Sequence, residues 1–249
     1  CAARFCMAKP CGADFLYGCS DAGMQLSMPK QFVAVDGRTI LQHTMLAFQQ
    51  HQLISSIYVV TSPEWHDEVR QQAERADISK FAACVNAGEN SFLSAKNGIQ
   101  YLCEKEDENT VVLIHDAVRP LVSQDIISRN IAVCLSRGNA ITALASQESY
   151  MVIANQTGSN DTEINSHEYI PREHLLRAQT PHTFLLKELA KMMQECEERG
   201  IKYSQSIFTL ANELGHVPLH IAEGEMINFK LTLPSDFTFF QAVLREISE

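Results

Sequence analysis

The chain contains no long hydrophobic run and relatively few positive charges. No apolar segment approaches the roughly 20 residues that a membrane-spanning helix needs, and no charged stretch followed by an apolar one forms a leader. Its 20 Lys and Arg residues face 30 Asp and Glu residues, which gives a formal net charge of −10. Nucleic-acid binding depends on clustered cations, so this balance argues against that class of protein. We therefore expect a soluble, cytoplasmic protein that binds any phosphate ligand in a local cationic pocket.

The eight cysteines lack the spacing of a familiar zinc site. Four of them crowd the start of the chain, at Cys1, Cys6, Cys11 and Cys19, without a CxxC pair or a neighbouring histidine. A chain of 249 residues buries enough apolar surface to fold without disulfide bonds. Free thiols are therefore favoured over a zinc site. Because no repeat or low-complexity linker interrupts the sequence, we predict a single domain over residues 1–249.

Short apolar runs alternate with amphipathic segments along most of the chain. This alternation predicts an α/β fold whose mainly parallel sheet carries helices on both faces. The predicted strands cover residues 13–17, 32–35, 57–61, 84–87, 111–114, 140–145, 217–221 and 229–232. The predicted helices begin near residues 40, 64, 90, 123, 185 and 233.

Residues 148–170 interrupt this alternation. Two short apolar stretches, 150–154 and 167–170, flank a polar stretch and predict a projecting β-hairpin arm. Such an arm buries little core of its own, so we expect it to contact a second copy of the chain in a homodimer.

Polar residues follow the apolar run 111–114 in the segment IHDAVRP, residues 114–120. Ligands of an open α/β sheet bind outside the carboxyl ends of its strands, which is where this segment falls. A carboxylate at that position can bind Mg²⁺ that bridges phosphates, and this is our interpretation of Asp116. The alternative is an aspartate that caps a turn.

Several other residues are candidates for nucleotide contacts. Lys30, in MPKQF, follows a Gly-containing loop from which an ammonium can neutralise phosphate oxygens, although an exposed lysine at a strand start fits equally well. Gly88 and Ser94 lie at a predicted helix start, where amides and a hydroxyl can hold a base or ribose or simply cap the helix. The cations near predicted strand ends, suited to a second phosphate or to solvent, are Arg172, Arg177 and Lys230.

Together these segments resemble a known family. MPKQF, ILQHTMLAF, the segment 88–98, IHDAVRP, RAQTPHTF and NFKLTLPSD occur in the order and at the spacings of the IspD-like cytidylyltransferases, from about residue 13 to 246. FQQHQLISSIYVV and YIPREHLLRAQTP are most similar to the ribitol-5-phosphate cytidylyltransferases, with the methylerythritol-phosphate enzymes next. The resemblance implies a Rossmann-like sheet of the nucleotide-diphospho-sugar transferase type with a dimerisation β-arm.

The resemblance also implies a reaction: transfer of CMP from CTP to a sugar-alcohol phosphate, with release of pyrophosphate. Ribitol 5-phosphate is the favoured acceptor, and the methylerythritol phosphate of isoprenoid synthesis is the alternative. By this carry-over Asp116 binds Mg²⁺, and Lys30, Arg172 and Lys230 are the catalytic cations. The same carry-over assigns the cytidine to Gly88, Ser94 and Ala117, and the acceptor phosphate and α-phosphate to Arg172, Thr180 and Lys230.

The sequence departs from the family pattern at several of its expected ligand positions. The Gly-rich loop before PKQ is replaced by residues 17–24, and its arginine falls on Gly23. A second expected arginine is Ser91, an Asp-Thr pair before the arm is Ser149-Tyr150, and an expected acidic residue is Ser204. Each lost donor costs on the order of 10²-fold in rate. A catalytically silent relative that acts as a binding or dimer-scaffolding protein is therefore the alternative to an active enzyme.

Overall fold

The structure, a computed structural model, describes residues 3–8, 29–153, 166 and 168–248, and for residues 3–8 and Ser248 it describes the backbone alone. Its strands are β1 (Ala3–Ala8), β2 (Ala34–Val35), β3 (Arg38–Thr39), β4 (Ile54–Thr61), β5 (Phe81–Asn86), β6 (Val111–Ile114), β7 (Asn139–Ala145), β8 (Tyr150–Val152), β9 (Glu168–Ile170), β10 (Leu176–Leu185) and β11 (Ile221–Glu223). Its α-helices are α1 (Ile40–Gln49), α2 (His66–Arg75), α3 (Ser91–Lys105), α4 (Gln124–Arg137), α5 (Leu186–Glu198), α6 (Ile207–Leu214) and α7 (Pro234–Ser248).

Within those residues, seven strands form one sheet in the order β11-β7-β10-β6-β1-β4-β5. Neighbouring strands run parallel except at β10, which lies antiparallel between β6 and β7. Two buried apolar clusters cover opposite sides of the sheet, one under α1, α2 and α4 and the other under α3, α5 and α6. The prediction of a mainly parallel α/β sheet with helices on both faces is confirmed.

Local sequence signals explain where the helices next to the sheet begin and end. Ser123 caps α4, because its hydroxyl accepts a hydrogen bond from the Ile126 amide at 3.1 Å, and Gly138 ends that helix in a left-handed conformation with φ of 92°. The Asn90 side chain caps α3 in the same way, through the Leu93 amide at 2.9 Å. These caps place the starts of two helices beside the carboxyl ends of strands.

Four strand predictions need correction or lie outside the described part of the chain. Residues 30–35 form a 3₁₀ turn, Lys30–Phe32, and then the short strand β2, because the Asp36-Gly37 turn folds the chain back into β3. The predicted strand 217–221 is replaced by β11, which begins at Ile221, and residues 229–232 form a loop. The predicted first strand, 13–17, lies outside the described residues; β1 at Ala3–Ala8 lies in the centre of the sheet.

The pattern analysis missed the strand β10, which the structure places in the middle of the sheet. Its sequence LRAQTPHTFL contains Pro181, and a proline cannot donate a ladder hydrogen bond, so it argues against a central strand. The strand accommodates the proline through an irregularity in its pairing with β7, between Ala178 and His182. This irregularity turns the QTP segment away from the ladder and toward the end of β6.

The predicted arm is present as an antiparallel pair of strands, β8 and β9, with part of its polar connection outside the described residues. Apolar side chains on both strands are exposed, including Met151 at 72% and Tyr169 at 74%. Among the described residues, no helix is both long and apolar enough to cross a membrane. The four cysteines whose side chains are described, Cys84, Cys103, Cys134 and Cys196, are free thiols.

Candidate active site

A cleft opens at the carboxyl end of β6, between the first turn of α3 and the first turn of α6. Asp116, two residues beyond the end of β6, lies in this cleft with 9% of its surface exposed. The lining residues are Ser91, Phe92, Ala95, Ile114, His115, Asp116, Arg119, Ala178, Gln179, Thr180, His182, Gln205, Ser206, Ile207, Phe208 and Lys230. The position agrees with the rule that ligands of open α/β sheets bind outside the carboxyl ends of strands.

Two cations hold the Asp116 carboxylate. The Arg119 Nε atom lies 3.1 Å from Oδ2, and the Lys230 Nζ atom lies 3.4 Å from the same oxygen. Arg119 is fixed in turn, since its guanidinium donates to the Asn228 carbonyl at 2.9 Å. Among the described residues that line the cleft, these two cations and one carboxylate leave a net positive charge, in a chain whose overall charge is −10. The cleft is therefore a local region of positive charge in an acidic chain.

A chain of hydrogen bonds joins Asp116 to the QTP segment. The Asp116 amide donates to the Thr180 hydroxyl oxygen at 3.1 Å, and the Thr180 hydroxyl lies 3.0 Å from His115 Nδ1. His115 Nε2 lies 3.0 Å from the Arg119 carbonyl, which can only accept, so Nε2 carries the ring proton of the neutral imidazole. Nδ1 is then an acceptor, and the Thr180 hydroxyl donates its proton to it. The Thr180 hydroxyl thus positions Asp116.

Burial lowers the pKa of both cleft histidines to about 4. Loss of hydration is the largest cause for His115 and for His182, and it outweighs the neighbouring Asp116 charge, which raises both values. Each imidazole is consequently uncharged near neutral pH. The cleft therefore owes its positive charge to Arg119 and Lys230.

The loop that carries Lys230 is anchored on both sides. The Leu231 amide donates to the Val118 carbonyl at 2.9 Å, and the Leu231 side chain is fully buried. Upstream, the buried Gln179 amide group donates to the Glu225 carbonyl at 2.8 Å. A Cβ at Gly224 would lie 2.3 Å from Gln179 Oε1, so glycine permits this close approach. Lys230 is thereby held over Asp116.

The predicted cytidine contacts lie beside the cleft, and the structure shows what each contributes locally. The Gly88 amide donates to Ser94 Oγ at 3.0 Å, and a Cβ at Gly88 would lie 2.4 Å from Leu93 Cβ. Ser94 is fully buried, so it holds the turn before α3. The Ala117 carbonyl accepts from Thr44 Oγ1 at 2.8 Å. Their roles in nucleotide binding stay predictions.

The structure brings together Asp116, Thr180 and Lys230, whereas Lys30 and Arg172 are absent from the cleft lining of the described chain. Lys30 is partly exposed at its 3₁₀ turn, and Arg172 is exposed in the short turn after the arm. Arg177 lies 3.4 Å from the Met226 sulfur. Of the positions that depart from the family pattern, Gly23 lies outside the described residues. Ser91 lines the cleft, and the hydroxyl of the buried Ser204 lies 2.9 Å from the Thr209 hydroxyl.

The sequence placed Arg119 in the segment expected at the ligand site, but sequence reasoning missed His182 and the segment 205–208 as cleft residues. His182 belongs to RAQTPHTF, which carries the family resemblance, but it is far from Asp116 in sequence, and only the packing of the strands brings it to the cleft. Gln205 and Ser206 gave no signal, because the start of α6 has no distinctive motif. Among the described residues, no group of three or more His, Cys, Asp and Glu side chains could hold a metal ion.

The architecture and the cleft define the chain as an α/β protein with a positively charged cleft at the carboxyl ends of its strands. A sequence model of the IspD family, 2-C-methyl-D-erythritol 4-phosphate cytidylyltransferase, matches residues 19–246. The chain therefore belongs to the IspD family of CTP-dependent cytidylyltransferases.

Individual relatives agree with this assignment. A ribitol-5-phosphate cytidylyltransferase of Lacticaseibacillus paracasei is 32% identical over 225 residues, which are 90% of this chain and 93% of that protein. A 2-C-methyl-D-erythritol 4-phosphate cytidylyltransferase of Rubrobacter xylanophilus is 32% identical over 234 residues, covering 94% and 95%. The fold matches 4-diphosphocytidyl-2C-methyl-D-erythritol synthase of Anaerococcus prevotii with a TM-score of 0.74 at 22% identity, over 98% and 96% of the two chains.

We predict that Thr180→Val destabilises the protein by about 1–3 kcal/mol, because it removes the hydrogen bonds that the Thr180 hydroxyl makes with the buried Asp116 amide and with His115 Nδ1. Urea unfolding of the parent and the variant measures this difference. Thr180→Ser keeps the hydroxyl and is the matched control, which should lose much less. Equal stability of the Val and Ser variants would contradict the hydrogen-bond chain.

We also predict that acid weakens the fold through the two cleft histidines. Their pKa values are about 4 in the folded chain against an ordinary value of 6.5, so the unfolded chain binds more protons between these limits. The contribution of these two histidines to the free energy of unfolding is therefore fully present above pH 6.5 and is lost as the pH drops toward 4. Thermal melting at pH 7.5 and pH 5 should show a smaller decrease for His182→Gln than for the parent, and an identical decrease would refute the prediction.

Proposed function

We propose that the chain transfers CMP from CTP to a sugar-alcohol phosphate and releases pyrophosphate. An acceptor phosphate oxygen attacks the α-phosphorus, a new P–O bond forms, and the bond to the bridging oxygen of the leaving pyrophosphate breaks. The acceptor phosphate is already ionised, so catalysis needs positioning and charge neutralisation more than a general base. The observation that carries the proposal is the placement of Arg119 and Lys230 around Asp116 at the end of β6.

Ribitol 5-phosphate is the acceptor that we favour. Several ribitol-5-phosphate cytidylyltransferases, from bacteria that include Lacticaseibacillus paracasei and Streptococcus agalactiae, are 31–32% identical to the chain. Relatives named for 2-C-methyl-D-erythritol 4-phosphate reach the same identity, so that phosphate is the second candidate. A direct comparison of the two acceptors distinguishes these possibilities.

The residues of the cleft fit a magnesium ion that arrives with the nucleotide. Mg²⁺ in nucleotide sites is held by one or two carboxylates together with substrate phosphates. Among the described residues of the cleft lining, Asp116 is the one carboxylate, so the protein would supply a single anionic ligand. When bound, the ion would neutralise charge on the triphosphate. Arg119 and Lys230, which hold Asp116 without nucleotide, would then face the phosphates.

We predict that the purified protein releases pyrophosphate from CTP when ribitol 5-phosphate and Mg²⁺ are supplied. Asp116→Ala and Lys30→Ala should each reduce the rate on the order of 10²-fold or more, because each removes charge stabilisation of the transition state. Lys191→Ala, on an exposed position of α5, is the control that should retain the parent rate. Unchanged rates in the first two variants would refute these assignments.

If the parent binds no CTP in calorimetric titration, the substitutions at Gly23 and Ser91 have removed the nucleotide site. The chain would then act as a binding or dimer-scaffolding protein. If it binds CTP but releases pyrophosphate with 2-C-methyl-D-erythritol 4-phosphate alone, the second acceptor is correct.

We further propose that the chain forms a homodimer through its arm. The exposed apolar side chains of β8 and β9 give the arm two apolar surfaces and little core, and such surfaces mark interaction sites. Light scattering should give the mass of a dimer for the parent, and Met151→Glu with Tyr169→Glu should give a monomer. Phe239→Glu, at an exposed apolar position of α7, is the control. A monomeric parent would rule out the arm contact.

A further inference from the structure

His182 is a buried polar residue in the wall of the cleft. It lies on β10, paired with Ile114 of β6, and 5% of its surface is exposed. Its ring packs edge-on against Phe208 of α6, with ring centroids 5.3 Å apart. Its Nε2 atom is buried and has no hydrogen-bond partner among the described residues. A buried nitrogen without a partner is costly, so its presence beside the cleft needs an explanation.

The environment of the ring fixes what Nε2 can bind. Burial keeps the imidazole neutral near pH 7, and a hydrogen bond from the ring reaches the Gln179 carbonyl. A carbonyl can only accept, and Nε2 has no partner in the described part of the chain, so the ring proton is on Nδ1. Nε2 therefore presents a lone pair. Phosphate oxygens in their ionised form are acceptors and do not satisfy it, whereas a hydroxyl group does.

The charged and the uncharged polar groups of the cleft lie in different parts of its lining. Arg119 and Lys230 surround Asp116 and suit phosphates. The wall formed by His182, Gln205 and Ser206 is polar but uncharged, and Phe208 covers its edge. An acceptor with a phosphate at one end and hydroxyl groups along its carbon chain matches this division.

We propose that His182 Nε2 accepts a hydrogen bond from a hydroxyl group of the sugar-alcohol acceptor and that His182 is a specificity-determining residue of this enzyme. The inference rests on the proposed function, because it takes the acceptor to be a sugar-alcohol phosphate. It gives the uncharged wall of the cleft a role in selecting polyols over phosphates that lack hydroxyl groups.

The test compares His182→Leu, which removes the acceptor atom, with His182→Gln, whose side-chain oxygen can still accept. We expect the KM for ribitol 5-phosphate to rise about tenfold in the Leu variant and much less in the Gln variant, with the KM for CTP unchanged. One of the monodeoxy ribitol 5-phosphates should be a poorer substrate for the parent but not for the Leu variant. His51→Leu removes another buried histidine, bonded to Ser128 at 2.9 Å outside the cleft, and should leave both KM values unchanged.

Calorimetric titration of ribitol 5-phosphate separates this inference from the proposed function. If the parent transfers CMP and the Leu variant keeps the parent's KM for ribitol 5-phosphate, or raises the KM for CTP instead, the inference is wrong and the proposed function stands. If the parent binds ribitol 5-phosphate without releasing pyrophosphate, and the Leu variant binds it about tenfold more weakly, the inference stands and the transferase activity is refuted. Failure of the parent to bind either ribitol 5-phosphate or 2-C-methyl-D-erythritol 4-phosphate would overturn both. Melting curves of each variant confirm that it is folded.

Discussion

The hydrogen bond from the Asp116 amide to the Thr180 hydroxyl holds the two halves of the cleft together. Asp116 lies two residues beyond the end of β6, whereas Thr180 belongs to the antiparallel strand β10. The bond fixes the segment after β6 against β10, and the Thr180 hydroxyl also donates to His115 Nδ1. Because Asp116, Thr180 and His115 are all buried, a change at one of them removes a hydrogen bond from another in a site where water cannot easily replace it. The carboxylate therefore has a defined position before any ligand is bound.

The same strand, β10, also positions the cationic loop. Gln179 docks residues 224–228 through its amide group, and Asn228 returns a hydrogen bond to the Thr180 carbonyl at 2.9 Å. Arg119 and Lys230 come from different sides of this junction and meet at one carboxylate. Two cations this close repel each other less when Asp116 lies between them. Asp116 thus offsets only part of the charge of Arg119 and Lys230, and the cleft keeps a net positive charge.

Much of this arrangement could be predicted from sequence, and the limits have physical causes. The strand 111–114 and the cap at Ser123 agree with the structure because apolar runs and capping side chains are local signals. Strand β10 was missed because Pro181 contradicts its local pattern, and the sheet accepts it through an irregular pairing. The partnership of Thr180 with His115 joins residues far apart in sequence, and periodicity carries no information on such contacts. The family resemblance located Asp116, Thr180 and Lys230, but Gln205 and His182 required the packing of α6 against β10.

The departures from the family pattern reduce the number of cations around the cleft. Ser91, where the family has an arginine, lines the wall at the start of α3, so the described part of the cleft contains fewer cations than the pattern implies. The first turns of α3 and α6 both border the cleft, and amide groups at helix starts favour anions. This contribution is smaller than that of an arginine fork, because it is a partial charge and offers no bidentate geometry. With fewer cations on phosphate, more of the binding energy would fall on the uncharged groups of the wall. Under our proposal the hydroxyl contacts of the acceptor then decide which phosphates are bound, and His182 would contribute more to this choice in this chain than it would beside a full set of cations.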